Sequence, residues 1–168
     1  MQEGAEMLDI EVEHIIKTIG TGKLCLEIGC YAGKLTLALA KENEVIAVDP
    51  FLACTDTKDL LFNEDMDAVK KLFLARIEGK HVEHHCVKSE YFYDVQHYDV
   101  LIIDGDHTKE GLAIDVNFIS AVKEGGYIIL HDNWEHFPHV QNTCKELEKR
   151  FMKLPSVGSL AIFRKLQK

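Results

Sequence analysis

Long hydrophobic runs are missing from this chain of 168 residues; none approaches the roughly 18–20 apolar residues that cross a bilayer. The first residues, "MQEGAEMLDIEVEH", are acidic and lack the charged-then-apolar build of a signal peptide, so the expected location is the cytoplasm, with no membrane partner. Positive charge is scarce as well. Nineteen Lys and Arg face 28 Asp and Glu, for a net charge of −9, with both signs mixed along the chain. A phosphate-backbone partner favours a basic face, so nucleic acid is not expected, although a local basic patch is compatible with such a total. Paired cysteines are absent too. The five, at 25, 30, 54, 86 and 144, are an odd number without paired spacing. Cys25, Cys86 and Cys144 stand in apolar segments, where a reduced thiol acts as a small hydrophobe. That argues for a reducing compartment and against a disulfide framework. With no repeat, low-complexity tract or linker, residues 1–168 read as one domain with one core.

What the chain does have is alternation. "KLCLEIGC" (23–30), "EVIAVDP" (44–50), the weaker "HVEHHCV" (81–87), "YDVLIID" (98–104) and "GYIILHD" (126–132) are short apolar runs. The last two are too apolar for a one-sided strand, as expected of parallel strands covered on both faces. Helical stripes lie between them: Leu35 and Leu39; Phe62, Met66, Val69, Phe73 and Ile77; Leu112, Val116, Ile119 and Val122, ended at Gly125-Gly126; then Val140, Cys144, Leu147 and Phe151. A strand at 159–165 closes the chain, hairpinned to residues 152–157. The expected fold is α/β: a Rossmann-like, doubly wound, mostly parallel sheet with helices on both faces and an antiparallel C-terminal strand. Residues 1–22 form an N-terminal helix, 23–135 the core, and 136–168 a last helix and strand.

Ligands of such sheets bind beyond the carboxyl ends of the strands, where strand order reverses. Those ends carry Glu27 to Gly33, Asp49, Ser89-Glu90, Asp104 to His107, and His131 to Asn133. Glu27, Gly29 and Gly33 span the first strand-to-helix turn, where glycines let backbone approach a ligand. The spacing E-x-G-x-x-x-G, with Tyr31 at a position often held by glycine, departs from the pyrophosphate-binding G-x-G-x-x-G. An acid inside the turn suits an amine-bearing ligand better than a diphosphate. Asp49, 22 residues after Glu27, stands where a carboxylate accepts both hydroxyls of a ribose. Structural alternatives are a plain turn at the glycines and a helix cap at Asp49.

"LCLEIGCYAGKLTLALA", "VIAVDPF", "DVLIIDGDH" and "GGYIILHDN" together resemble the class I S-adenosylmethionine-dependent methyltransferases, over roughly residues 23–135. More narrowly they resemble the metal-dependent O-methyltransferases of the catechol and caffeoyl-CoA type, and small bacterial methyltransferases with the "IDGDH" block. The resemblance implies that Glu27 and the backbone around Gly29, Tyr31 and Gly33 hold the methionine end of S-adenosylmethionine. Asp49 would take the ribose, Ser89 with Glu90 would face the adenine, and Asp104 would border the cofactor. Asp104 and Asp132, ending neighbouring strands about 4.8 Å apart, are expected at matching positions with Asn133 beside them. Two such carboxylates repel unless a cation or a shared proton lies between them. Two acids and an amide oxygen suit Mg²⁺, and the metal-dependent relatives are similar at all three positions. Where the catechol-type enzymes carry a lysine as base, this chain has His107, an imidazole able to take a proton at neutral pH.

The expected activity is therefore Mg²⁺-assisted methyl transfer to a hydroxyl of a small-molecule acceptor, catechol-like or bearing vicinal oxygens. Rival readings are a metal-free methyltransferase acting on a sugar or amine with His107 or His131 as base, a non-catalytic nucleoside-binding module, and, less well matched by the acidic loop, a nicotinamide-dependent oxidoreductase. Asp106 is a candidate for orienting His107, binding the metal or capping the next helix. His131, His136 and His139, with His107, could form a softer site for Zn²⁺ or Fe²⁺, or His136 and His139 simply flank Pro138 at the surface. His84 and His85, adjacent on a strand, point to opposite faces. Trp134 and Tyr31 are candidate pocket walls, and "FLACTDTKD" (51–59) a candidate lid. Sparse cover implies an open site, a large acceptor, or a neighbouring subunit of a homo-oligomer completing the pocket.

Overall fold

The computed structural model describes residues 6–52 and 65–166. Cys54, Phe62 and most of the candidate lid lie outside them. The chain runs α1 (Asp9–Ile19), β1 (Leu24–Ile28), α2 (Lys34–Leu39), β2 (Glu44–Val48), α3 (Met66–Ile77), β3 (Val82–His85), β4 (Tyr98–Ile103), α4 (Lys109–Asp115), β5 (Val122–Leu130), α5 (Pro138–Glu148), β6 (Met152–Leu154) and β7 (Ala161–Arg164). A single-turn 3₁₀ helix fills Ser89–Tyr91, and a longer one extends α4 over Val116–Ala121.

Seven strands form one sheet in the order β3-β2-β1-β4-β5-β7-β6. The first five are parallel, and β7 runs antiparallel to both β5 and β6. Strands β1, β2 and β4 are buried along almost their whole length, as two-sided cover requires. Ile28, Leu101, Ile103 and Phe163 pack on one face with Leu112 of α4 and Val140, Cys144 and Leu147 of α5. The other face takes Ile15 and Ile19 of α1 and Leu35 and Leu39 of α2, with Phe73 and Val69 of α3 in an adjoining cluster. Strand order reverses between β1 and β4, so the cleft opens beyond Ile28 and Ile103.

Three expectations need correction. Gly125-Gly126 does not stop a helix. The stripe from Leu112 tightens into 3₁₀ geometry, Val122 already pairs with Tyr98, and residues 123–126 bulge out before Val100 pairs with Tyr127. Gly126 allows this because a Cβ there would lie 2.8 Å from the Asp99 carbonyl oxygen. Cys86 is exposed rather than core, whereas Cys30 is buried. The third correction is one of register. Ile103 pairs with Leu130, and the His131 N–H donates to the Ile103 carbonyl, so Asp104 stands beside His131, with Asp132 one residue further on.

Candidate active site

The first strand end is held by hydrogen bonds from within. Glu27 is 2% exposed, and its Oε2 accepts the Thr36 hydroxyl at 2.6 Å. Burial pushes its carboxyl up to about 8, with the nearby Asp104 and Asp49 charges adding to the rise and the Thr36 bond opposing it. Gly29 adopts φ +82°, and a Cβ on it would lie 2.2 Å from the Asp104 carbonyl oxygen; only glycine lets the ends of β1 and β4 come this close. Gly33 opens α2 with a left-handed φ. Asp49 accepts N–H groups from Cys30 (3.0 Å) and Tyr31 (2.9 Å) on one oxygen and from Phe51 (2.7 Å) on the other. It thus braces the turn to which a ligand would bind. Tyr31 takes the positive φ (45°) that its middle position in the turn demands.

On the adenine side the expected contacts divide. Ser89 donates its hydroxyl to Asp115, which is 1% exposed, while Glu90 is exposed with Lys88 3.8 Å away. Burial lifts the Asp115 carboxyl to about 6, the Ser89 bond opposing and the Asp106 charge adding. Its other oxygen is buried without a hydrogen-bond partner among the described residues, and a Cβ on Gly105 would lie 3.4 Å from it. Asp115 therefore ties the turn after β3 to α4.

The second strand pair converges as its sequence promised, through a different arrangement. Asp132 has a left-handed φ of +57°, which an aspartate tolerates, and this turn brings its carboxylate back toward the cleft despite the one-residue offset. One ligand atom each from Asp104, His107 and Asp132 lies within 4.8 Å of the others. His107 Nε2 is 3.5 Å from Asp132 Oδ2, and this buried nitrogen makes no hydrogen bond among the described residues. The Phe137 ring, 4.5 Å from the His107 ring, backs it.

His131 supplies a cation of the protein's own. Its Nδ1 is 2.9 Å from Asp104 Oδ1 and 3.5 Å from Asp132 Oδ1, and its Nε2 is 3.2 Å from Glu11 Oε2. Burial alone would lower its pKa; the charge of Asp104 and its hydrogen bond, followed by Asp132, outweigh burial and raise it to about 11. Glu11, 1% exposed on α1, also accepts the N–H groups of Ser159 (2.7 Å) and Leu8 (3.0 Å) and the Ser159 hydroxyl (3.0 Å). Burial raises its pKa, but the two backbone bonds and His131 more than compensate, and the net shift is downward.

Asp106 accepts the Thr108 N–H at 2.8 Å, and Thr108 itself caps α4. The Asn133 N–H donates to the Ser159 carbonyl (2.8 Å). Trp134 is half exposed with His136 5.8 Å from its ring, and His136 and His139 lie at the surface. His84 contacts Phe73 and His85 contacts Phe92, on opposite faces of the sheet. Glu11 and Asp115 were not among the sequence candidates. Both occupy apolar helical stripes, Glu11 with Ile15 and Ile19, Asp115 with Leu112 and Ile119, and an acid in such a stripe is the signal that marks them.

The chain matches the family described as "Methyltransferase domain" over residues 26–133, a span holding both groups of strand ends. It belongs to that family. The fold and the family together make it an S-adenosylmethionine-dependent methyltransferase of class I. No curated protein matches it by sequence. Among solved structures the methyltransferase is similar to the N-methyltransferase NodS of Bradyrhizobium japonicum, crystallised with S-adenosyl-L-homocysteine: TM-score 0.70 and 14% identity, over 94% of this chain and 85% of that one. An rRNA methylase from Streptococcus thermophilus gives TM-score 0.66 and 13% identity, covering 99% and 100%. The 1,6-didemethyltoxoflavin-N1-methyltransferase of Burkholderia thailandensis gives 0.66 and 15%, covering 95% and 78%. These likenesses establish the fold.

Among the described residues, no helix is long and apolar enough to cross a membrane.

Proposed function

We propose that this methyltransferase moves a methyl group from S-adenosylmethionine to a hydroxyl oxygen of a small-molecule acceptor, with a divalent cation held by Asp104, Asp132 and His107. In the transfer the acceptor oxygen forms a bond to the methyl carbon while the carbon–sulfur bond breaks, its electron pair going to sulfur and the hydroxyl proton passing to solvent water. The observation that carries the metal is the buried His107 nitrogen, without a hydrogen bond among the described residues and within reach of two carboxylates. Charge supports it: Glu11, Asp104 and Asp132 are three carboxylates against one imidazolium, an excess of two that a dication neutralises.

One imidazole and two carboxylates favour Mn²⁺, Fe²⁺ or Zn²⁺ over the oxygen-seeking Mg²⁺ of the Asp-Asp-Asn expectation. When bound, the cation would hold the acceptor's oxygens and make its hydroxyl more acidic. Glu27 receives the cofactor's ammonium, Asp49 shapes the turn around it, and Phe137 and the α5 entrance shield His107 from water. In this reading His107 is a ligand rather than the base.

A second reading has its own support, since His131 already places a cation 2.9 Å from Asp104. The protein then needs no metal, and His107 takes the acceptor's proton. Transfer from labelled cofactor to catechols, sugars, phenols and amines, before and after EDTA, separates the two. Loss with EDTA and recovery with Mn²⁺ exceeding that with Mg²⁺ supports the metal; full activity after EDTA refutes it. Transfer confined to amines refutes the oxygen acceptor.

A further inference from the structure

A cavity of about 920 Å³ opens between α4 with its 3₁₀ extension and α5, on the sheet face away from α1. Its floor is apolar, made by Val116, Ile119, Leu147 and Phe151. Its walls carry Lys109, Lys145, Arg150 and Lys165 against a single acid, Glu146. Lys149 neutralises Glu146 at 2.7 Å, and Lys165 Nζ is committed to the Val122 carbonyl at 2.6 Å. Lys109, Lys145 and Arg150 remain. All three are exposed, and none has a carboxylate partner among the described residues. In a chain with 28 acids and 19 bases, three cations lining one cavity without a carboxylate partner among the described residues run against the general balance; Arg150 instead stacks on the Phe151 ring, 5.1 Å from its centroid. Asn117, Ser120, Asn142 and Thr143 add neutral hydrogen-bonding groups around them.

Lys109 lies two residues after His107, and His139 lies two residues after Phe137, whose ring backs His107.

We infer that this groove binds the phosphate-bearing end of the methyl acceptor, a small phosphate ester or diphosphate whose apolar body rests on the Val116–Phe151 floor. The inference rests on the reading of the acceptor site above, which it deepens by naming a substrate class. Cations presented over an apolar floor match an amphipathic anion. A polynucleotide fits less well, because its phosphates would extend past these cations over a protein of net charge −9.

The test is calorimetric titration of the full chain, with S-adenosylhomocysteine bound, against inorganic pyrophosphate and against a ten-nucleotide RNA. Wild type is compared with K145E/R150E, and with K145A/R150A should charge reversal lower the melting temperature. Pyrophosphate is expected to bind saturably, at least tenfold more weakly in either double variant, with cofactor affinity unchanged. No saturable binding, or equal affinity in the variants, overturns the proposal. RNA binding tighter than pyrophosphate and lost in the same variants overturns the small acceptor in favour of a polynucleotide. In transfer assays on matched acceptors with and without a phosphate, the phosphate should lower KM at least tenfold, and K145E/R150E should erase that gain with kcat within twofold. If no hydroxyl acceptor is methylated while pyrophosphate binding persists and is lost in the variants, the groove stands and the oxygen-transfer reading falls. If unphosphorylated hydroxyls are methylated and pyrophosphate does not bind, the groove falls and the oxygen-transfer reading stands.

Discussion

Glu27 enters the resting cleft with a proton on it at neutral pH, since burial has carried its carboxyl up to about 8. In the proposed reading the cofactor's ammonium stands beside it, which favours the ionised form and drives that proton out. Calorimetry at pH 7 in buffers of different ionisation enthalpy should therefore detect release of about one proton on cofactor binding, absent in Glu27→Gln. The same group acts on stability. The folded protein holds the proton more tightly than the unfolded chain, whose carboxyl titrates near 4.5. Its contribution is complete below about 4.5 and is lost as pH rises through about 8. Urea midpoints across pH 4–9 should fall less steeply in Glu27→Gln than in wild type. Glu11 is governed by the opposite balance, its downward shift resting on partners it must keep. Glu11→Ala leaves the His131 imidazolium facing a cavity and should cost about 3–5 kcal/mol in urea unfolding. Glu11→Gln, whose single amide oxygen still accepts from Ser159, should recover part of that loss.

Among elements, the tightest constraint is the approach of β1 to β4. Gly29→Ala would put a methyl group 2.2 Å from the Asp104 carbonyl at a left-handed φ, so the β4 end has to move. A destabilisation of about 2 kcal/mol or more is expected in thermal melts, with S-adenosylhomocysteine binding reduced at least tenfold. The elements themselves were largely legible. Two-sided burial wrote β1, β2, β4 and the second half of β5 as continuous apolar runs, and the closing hairpin of β6 and β7 was read from the apolar strand at 159–165 and the turn residues Pro155 and Gly158 before it. The Gly125-Gly126 pair misled because a helix stop and a strand bulge use glycine for the same freedom. Which helix carried an active-site group was also hidden. Amphipathic spacing places α1 against the sheet, but only the packed structure shows Glu11 reaching His131, more than a hundred residues along the chain. The offset between Asp104 and Asp132, by contrast, was within reach: Ile103 and Leu130, the last apolar residues of their runs, pair with each other, and only the second run has a residue, His131, before its aspartate.

For the molecule as a whole, the two faces of the sheet divide the labour. One carries α1 and the acid network behind Asp104, and the other carries α4, α5 and the groove of lysines. Holding them in one body depends on β7, which sits between β5 and β6 and buries Ile162 and Phe163 completely. Phe163→Ala should cost about 3–5 kcal/mol in denaturant unfolding and should weaken cofactor binding, because β5 carries His131 and Asp132 at its end.

The bond from Glu11 to Ser159 joins residues 148 apart. While the chain is being made, the cofactor loop and the first acids leave the ribosome long before the hairpin that Glu11 grips. The Glu11 side of His131 therefore stays unset until residue 159 has been added and folded back. A nascent or prematurely ended chain would hold the cofactor turn without a finished reaction centre, so chemistry begins only after the sheet has closed.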